Sequence, residues 1–261
     1  MDSKDKVVAV TGGAHGIGAA LCRRFAQEGA RTVIVLDLDI AAAGQVANEC
    51  AGHAYELNVA DEQAVADTLK EIQATHGLID LYCSNAGVAE MDGPDFLVSS
   101  CSNQGWEASW QVNVMAHVYA CRALLPGMIE RGSGYFLITA SAAGLLSQIA
   151  SAPYSTTKHA AVGFSESLFI THADDGIGVS VLCPQGVRTR MIAGMDDGGV
   201  TGVDGVIEPE ALAECVVQGL ADEKFLILPH PEVLTYMQRK TADYDRWLHG
   251  MRKLRQRFTE A

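Results

Sequence analysis

The chain has 261 residues, 48% of them hydrophobic and 20% charged, a mixture that builds a packed core and excludes a disordered, collagen-like or coiled-coil polymer. Its 19 Lys+Arg against 32 Asp+Glu give a net charge of −13, and a body so acidic repels phosphate backbones and anionic lipid, so neither nucleic acid nor a membrane is expected as partner. Seven scattered cysteines, odd in number and never in a CxxC pair, suggest neither a disulfide framework nor a zinc site, and the start of the chain has no signal-peptide flanks, so a cytoplasmic protein without a metal is expected.

Short apolar runs of β-branched character predict strands at 7–10, 32–36, 53–57, 78–83, 135–139, 178–182 and 225–228. Between them, apolar residues at three- and four-residue spacing predict crossover helices closed by glycine, with Ile17, Leu21 and Phe25 before Gly29, and Val65, Leu69 and Ile72 before Gly77. Longer helices are expected around 106–131 and 157–174. This alternation predicts an α/β fold of doubly wound, Rossmann-type design: one seven-stranded parallel sheet with helices on both faces, in a single domain over 1–261. Two segments break the rhythm. Residues 188–207 hold five glycines and three aspartates without periodicity, which predicts a mobile or functional loop acting as a substrate lid. The tail over 231–261 carries, from Thr235 on, seven Lys/Arg against Asp243, Asp245 and Glu260; it reads either as a solvated helix or as a basic arm docked on an acidic body or a neighbouring subunit.

Three motifs carry chemistry. Glycine is enriched, at 26 residues, and the first strand runs into Thr11-Gly12-Gly13-Ala14-His15-Gly16-Ile17-Gly18 before a helix. Glycines there let a pyrophosphate approach the backbone while the helix start offers free N–H donors. The second strand ends at Asp37, 19 residues beyond Gly18, where a carboxylate accepts hydrogen bonds from an adenosine ribose and repels a 2′-phosphate; neither Leu38 nor His15 supplies a cation, so NAD is the expected cofactor. Finally Ser141 precedes Tyr154-Ser-Thr-Thr-Lys158. Tyrosine and lysine four residues apart share a helix face, and an ammonium about 4 Å from the phenol supplies roughly the 4 kcal/mol needed to bring a tyrosine from its ordinary value near 10 to about 7.

With these motifs in place, the sequence resembles the short-chain dehydrogenase/reductase family, from about position 7 to 189 and more loosely to 228. The resemblance implies that Gly12, His15, Gly16, Ile17 and Gly18 form the cofactor loop, joined by Asp37 and Leu38, that Asn58 and Val59 contact the adenine, and that Asn85-Ala86-Gly87 is the turn after the fourth strand. It implies a catalytic tetrad of Asn113, Ser141, Tyr154 and Lys158, with Tyr154 and Lys158 also touching the cofactor and Pro184, Val187 and Thr189 holding the nicotinamide carboxamide. Two positions depart from the family pattern. Asn58 stands where Asp is commoner, and Gln185 stands where Gly usually follows the proline, so a Gln185 side chain facing substrate is expected.

The expected reaction is the NAD-dependent interconversion of a secondary alcohol and a ketone, Tyr154 taking the hydroxyl proton and Ser141 holding the reacting oxygen. Leu145, Gln185, Met191 and Met195 are the candidate substrate contacts, beside Leu146, Ile149 and Ile192; so apolar a set favours a neutral alicyclic, aromatic or steroid-like molecule. Arg188 and Arg190 offer a carboxylate site instead, or pair with Asp196, Asp197 or Asp204. The alternatives are an NAD-using dehydratase or epimerase, and a non-catalytic NAD-sensing protein on the same fold. Family likeness suggests a homodimer or homotetramer.

Overall fold

A computed structural model describes residues 1–93, 95–193 and 199–259. Seven strands, β1 (Val7–Thr11), β2 (Thr32–Asp37), β3 (His53–Glu56), β4 (Leu81–Ser84), β5 (Gly134–Thr139), β6 (Ile177–Leu182) and β7 (Leu226–Ile227), lie in one sheet in the order β3-β2-β1-β4-β5-β6-β7. All six pairings are parallel. Because side chains alternate across a strand, β1 feeds two cores at once. Val7 and Ala9 join Val65, Leu69, Ile72, Leu124 and Leu168 on one face, while Val8 and Val10 join Leu21, Phe25, Val46, Leu212 and Val216 on the other.

The first core packs under α3 (Glu62–His76), α5 (Ala116–Glu130) and α6 (Ala152–His172), and the second under α1 (Gly16–Gln27), α2 (Ile40–Glu49) and α7 (Pro209–Ala221). The doubly wound prediction therefore describes the molecule. Strand order reverses between β1 and β4, and at such a switch point the loops beyond the carboxyl ends diverge and leave a crevice. The loops that follow β1 and β4 at that point are 11–18 and 85–88.

Several boundaries differ from the sequence reading, among them the helix expected over 157–174, which is Ala152–His172. The fourth strand starts at Leu81 rather than 78: Leu78 is exposed, and the Asp80 carboxylate accepts the Val7 N–H at 2.8 Å, which turns 78–80 into a connection. Glycine ends α1 and α3, with Gly29 and Gly77 at φ +83° and +94°, but Ala51 and Glu223 take the left-handed conformation after α2 and α7. The helix expected over 106–131 is α4 (Asn103–Trp110) and α5 joined by a π-helical turn at Gln111–Met115. The rod Asn103–Glu130 has the length and apolar composition of a membrane span, and Val114, Ala116, Ala120, Cys121, Leu124 and Met128 are buried along it.

Candidate active site

The glycine loop is shaped by close approach. Gly12 and Gly16 sit at φ +63° and +50°, and a Cβ on Gly18 would lie 2.0 Å from the Gly12 carbonyl oxygen. Loop and helix start therefore touch in a way that no side chain permits. The helix begins without a side-chain cap on its N–H groups: His15 occupies the cap position, its side chain makes no capping bond, and the first turn carries no acid. Donors left free at a glycine-lined helix start fit a diphosphate. Thr11 locks the floor, its hydroxyl oxygen accepting the N–H groups of Asn85 at 2.9 Å and Ala86 at 3.1 Å, while the Asn85 amide donates back to the Thr11 carbonyl at 3.0 Å.

Asp37 ends β2 half-buried. Its Oδ2 accepts the Ala14 N–H and its Oδ1 the Asp39 N–H, each at 3.0 Å, which aims the carboxylate at the loop and leaves lone pairs on both oxygens for a ribose. His15 Nε2 lies 3.2 Å from Asp39 Oδ2, and the Ala42 N–H, then His15 and least of all Arg190, hold the Asp39 carboxyl below its usual range. Leu38 is exposed beside them. Asn58 is exposed, its Oδ1 accepting the Ala60 N–H at 3.1 Å, and Val59 is buried. Pro184 and Val187 are buried, and a Cβ on Gly16 would meet Thr189 Cγ2 at 2.9 Å, so the loops after β1 and β6 close on each other.

The four tetrad positions converge at the carboxyl ends of β4, β5 and β6. Asn113 lies in the middle of the π-helical turn and is fully buried. Its Oδ1 accepts the Val88 N–H at 2.9 Å, and its amide donates to the Val88 carbonyl at 2.9 Å and to Thr157 Oγ1 at 3.1 Å. The extra residue of a π turn re-aims one side chain and one carbonyl; here the side chain is a strut between the loop after β4 and α6. Ser141 follows β5, its Oγ accepting the Ala143 N–H at 3.1 Å and donating to the Pro184 carbonyl at 3.4 Å. Lys158 is buried, its Nζ donating to the Thr139 carbonyl at 2.9 Å and standing 5.6 Å from the Tyr154 ring centroid. A Cβ on Gly87 would come within 3.4 Å of that Nζ and 3.3 Å of Asn113 Oδ1.

Electrostatics at Tyr154 differ from the sequence expectation. Burial pushes the phenol above its ordinary value, with Ser141's hydroxyl pulling it back, whereas the lysine was expected to lower it. Desolvation of the ring outweighs its charged neighbour, and Lys158 is itself desolvated and drawn down to about 8 while its Nζ donates to the Thr139 carbonyl.

Residues 6–198 match the profile of the short chain dehydrogenase family. The chain belongs to that family. It is 30% identical over 268 residues to epidermal retinol dehydrogenase 2 of Homo sapiens, covering 94% of this chain and 84% of that protein. It is also 30% identical over 262 residues to 1-deoxy-11-beta-hydroxypentalenate dehydrogenase of Streptomyces exfoliatus, covering 95% and 91%. In fold it superimposes on a short chain dehydrogenase/reductase from Burkholderia phymatum solved in complex with NAD, with TM-score 0.83, 24% identity and coverage of 94% and 96%.

Beyond Ser141 the chain packs against distant segments. Leu145, half-buried, packs with Ala142, Leu146 and Val233 and with Tyr236, Met237 and Trp247 from α8 (Glu232–Ala242) and α9 (Tyr244–Thr259). Ile149 is buried and Met191 exposed; Met195, Asp196 and Asp197 lie outside the described residues. The backbone N–H of Gln185 donates to His230 Nδ1 at 3.3 Å, and its side-chain Oε1 is buried without a hydrogen-bond partner. The pairing expected between the arginines and Asp204 is replaced. Arg188 Nε donates to Glu208 at 2.6 Å, and Asp204 accepts the Tyr236 hydroxyl at 2.8 Å.

The basic tail is largely exposed along α9, and it also contacts the body of the protein through backbone carbonyls. Lys240 is buried and donates to the carbonyls of Leu145 at 2.8 Å and Leu146 at 2.7 Å, and Arg255 reaches the Phe96 carbonyl at 3.0 Å. Backbone carbonyls leave no trace in a list of side chains, so neither contact had a signal in the sequence.

Proposed function

We propose that this dehydrogenase interconverts a neutral, largely apolar secondary alcohol and its ketone, with NAD rather than NADP as its cofactor. The observation that carries the reading is the convergence of Ser141, Tyr154 and Lys158 beside a glycine loop whose helix start is uncapped. NAD, when bound, supplies the hydride acceptor; Gly12, Gly16 and Gly18 would border its diphosphate, Asp37 its adenosine ribose, and Val187 and Thr189 its carboxamide. Asp37 favours NAD because a 2′-phosphate there would face a carboxylate. A short chain dehydrogenase/reductase of the same fold was solved with NAD.

The chain's own residues then move one proton. Tyr154 takes it from the alcohol hydroxyl, Ser141 donates a hydrogen bond to the reacting oxygen as charge builds there, and the Lys158 ammonium favours the phenolate over the phenol. Asn113 acts through its neighbours, tying the Val88 loop to α6. Leu145 and the apolar faces of Tyr236, Met237 and Trp247 support an apolar substrate, as do relatives named as retinol and hydroxypentalenate dehydrogenases. Exposed Trp110, Phe169 and Ile170 on the outer helices support a homo-oligomer, and seven free cysteines support a reducing, cytoplasmic setting.

The test is Tyr154→Phe, assayed by NADH formation across a panel of alicyclic and aryl secondary alcohols. We expect kcat to fall by at least about 10³-fold with the Kd for NADH changed less than threefold. A variant that keeps its rate sinks the mechanism, and NADH bound without turnover of any alcohol by the natural enzyme favours the sensing reading.

A further inference from the structure

We infer that His230 is a positioning residue: as a neutral imidazole it fixes the Pro184–Gln185 peptide between Ser141 and the loop proposed to hold the nicotinamide, and it releases that peptide when protonated. It rests on the reaction proposed above. One peptide unit is gripped at both of its polar ends. Its carbonyl, on Pro184, accepts the Ala142 N–H at 2.8 Å and the Ser141 hydroxyl at 3.4 Å, while its N–H, on Gln185, donates to His230 Nδ1 at 3.3 Å. Ser141 is the serine of the proposed reaction, and Val187 and Thr189 follow in the same loop. Beyond Gln185 the segment is held by main chain, the Gly186 N–H donating to the Thr201 carbonyl at 2.8 Å and the Arg188 N–H to the Ile207 carbonyl at 3.0 Å. At Gln185 the acceptor is a side chain, and one that titrates.

A carbonyl accepts at every pH, whereas an imidazole nitrogen accepts only while the ring is neutral. Because Nδ1 takes the Gln185 N–H, the proton of the neutral ring sits on Nε2, which is buried and has no hydrogen-bond partner. Protonation puts a second N–H on Nδ1, donor against donor, and the bond to Gln185 is lost. The peptide then keeps its grip on the serine side alone. His230 is 3% exposed, and burial holds it below the ordinary 6.5 against the carbonyls of Gly205 and Gly186 and the charges of Glu232 and Asp204. Of the other groups packed around it, the Tyr236 hydroxyl donates to Asp204 at 2.8 Å and is raised by that bond, Arg239 stands 5.8 Å over the Tyr236 ring, and the Cys183 thiol ahead of Pro184 is pushed up to about 12. The ring is neutral near pH 7, and acid charges it.

Two measurements need no turnover. In protein labelled with ¹⁵N in the histidine rings, His230 should be the Nε2–H tautomer at neutral pH, and the Gln185 amide proton should move with the His230 titration as its acceptor is lost. By fluorescence titration, the Kd of the natural enzyme for NADH should rise about 5- to 10-fold as that titration is crossed in acid, the scale of one lost hydrogen bond. His230→Leu should bind NADH more weakly by about the same factor already at neutral pH. His230→Asn, whose Oδ1 stands in for Nδ1 and does not titrate, should recover the neutral Kd and keep it in acid. In ketone reduction, where Tyr154 works from its protonated form, the natural enzyme should show an acid limb that the Asn variant lacks. A ring that only fills space would leave the acid rise of Kd in both variants. The proposal is overturned by an Nδ1–H tautomer at neutral pH, or by a folded Asn variant whose NADH binding weakens in acid as the natural enzyme's does. Should neither variant fold, the Gln185 amide of the natural protein decides: an amide that ignores the His230 titration overturns the proposal. Failure of the proposed reaction is seen separately, as NADH binding with these pH responses but no turnover of any ketone.

Discussion

At the cofactor end of the crevice the wall is backbone. Gly12, Gly16 and Gly18 are there because a Cβ would crowd the Ala86 backbone, a threonine or a carbonyl, and the Thr11 and Asn85 bonds hold two loops that follow adjacent strands. At the end proposed for substrate the wall is side chains of distant segments, Ala142, Leu145 and Leu146 against Leu228, Val233, Tyr236, Met237 and Trp247, held by single long-range contacts such as Lys240 to Leu145 and Tyr236 to Asp204. A wall of backbone tolerates almost no substitution and accepts one ligand shape. A wall of side chains can be rebuilt residue by residue, which is how one fold serves many alcohols.

The comparison breaks first at Gly18. An alanine there would place its methyl 2.0 Å from the Gly12 oxygen, so Gly18→Ala should raise the Kd for NADH by roughly 100-fold or more, read by fluorescence titration, or prevent folding outright. Gly127→Ala is the control: nothing lies within 4 Å of its Cβ position on an α-helix, and the change should stabilise by about 0.5–1 kcal/mol in a urea titration. Next comes Asp37→Ala. It removes the carboxylate that accepts the Ala14 and Asp39 N–H groups, and kcat/KM with NAD should fall about 10- to 100-fold while discrimination against NADP narrows. Equal losses with both cofactors would show that Asp37 shapes the loop and does not read the ribose.

The same contrast explains what a reader of the sequence could see. Backbone approach leaves glycines in order, so the 11–18 loop and the sheet were legible from composition and periodicity, and Tyr154 with Lys158 declared themselves by a four-residue spacing. The π-helical turn at Asn113 was not legible, because Gln111–Met115 has the same apolar pattern as the α-helix on either side. The backbone bond from Gln185 to His230, 45 residues away, left no mark in the sequence either. Lys240 looked like one more solvated cation of a basic tail; its partners are carbonyls about 95 residues earlier, and a carbonyl belongs to every residue type alike.

His117 lies on the seam between the two ends, and acid tests it. Its folded value, about 3, is below the ordinary 6.5, so between those pH values the unfolded chain binds a proton that the folded chain refuses. Stability is complete above 6.5 and falls as the pH drops through that window, by about 1.4 kcal/mol per pH unit. Urea unfolding should therefore lose about 2 kcal/mol between pH 6.5 and 5 on account of this residue, and His117→Asn should flatten that slope. A slope unchanged by the substitution would place the acid-sensitive group elsewhere.

The smallest effect belongs to the substrate wall. Lys240→Met keeps the length of the side chain and removes its charge and donors, leaving the Leu145 and Leu146 carbonyls without that partner. Each orphaned carbonyl costs about 1 kcal/mol or more if it stays buried, less if the loop relaxes into water. Relaxation would move Leu145 and the face of α8 that it packs against, while Ser141 stays anchored by the Ala143 N–H and the Pro184 carbonyl. The expected result is a KM raised about 5- to 10-fold for a bulky apolar alcohol, an unchanged kcat, and no change for a small alcohol that never reaches α8. A fall in kcat for both would mean that the tail positions the reacting groups, and the division between a rigid cofactor wall and a rebuildable substrate wall would fail at its boundary, between Ser141 and Leu145.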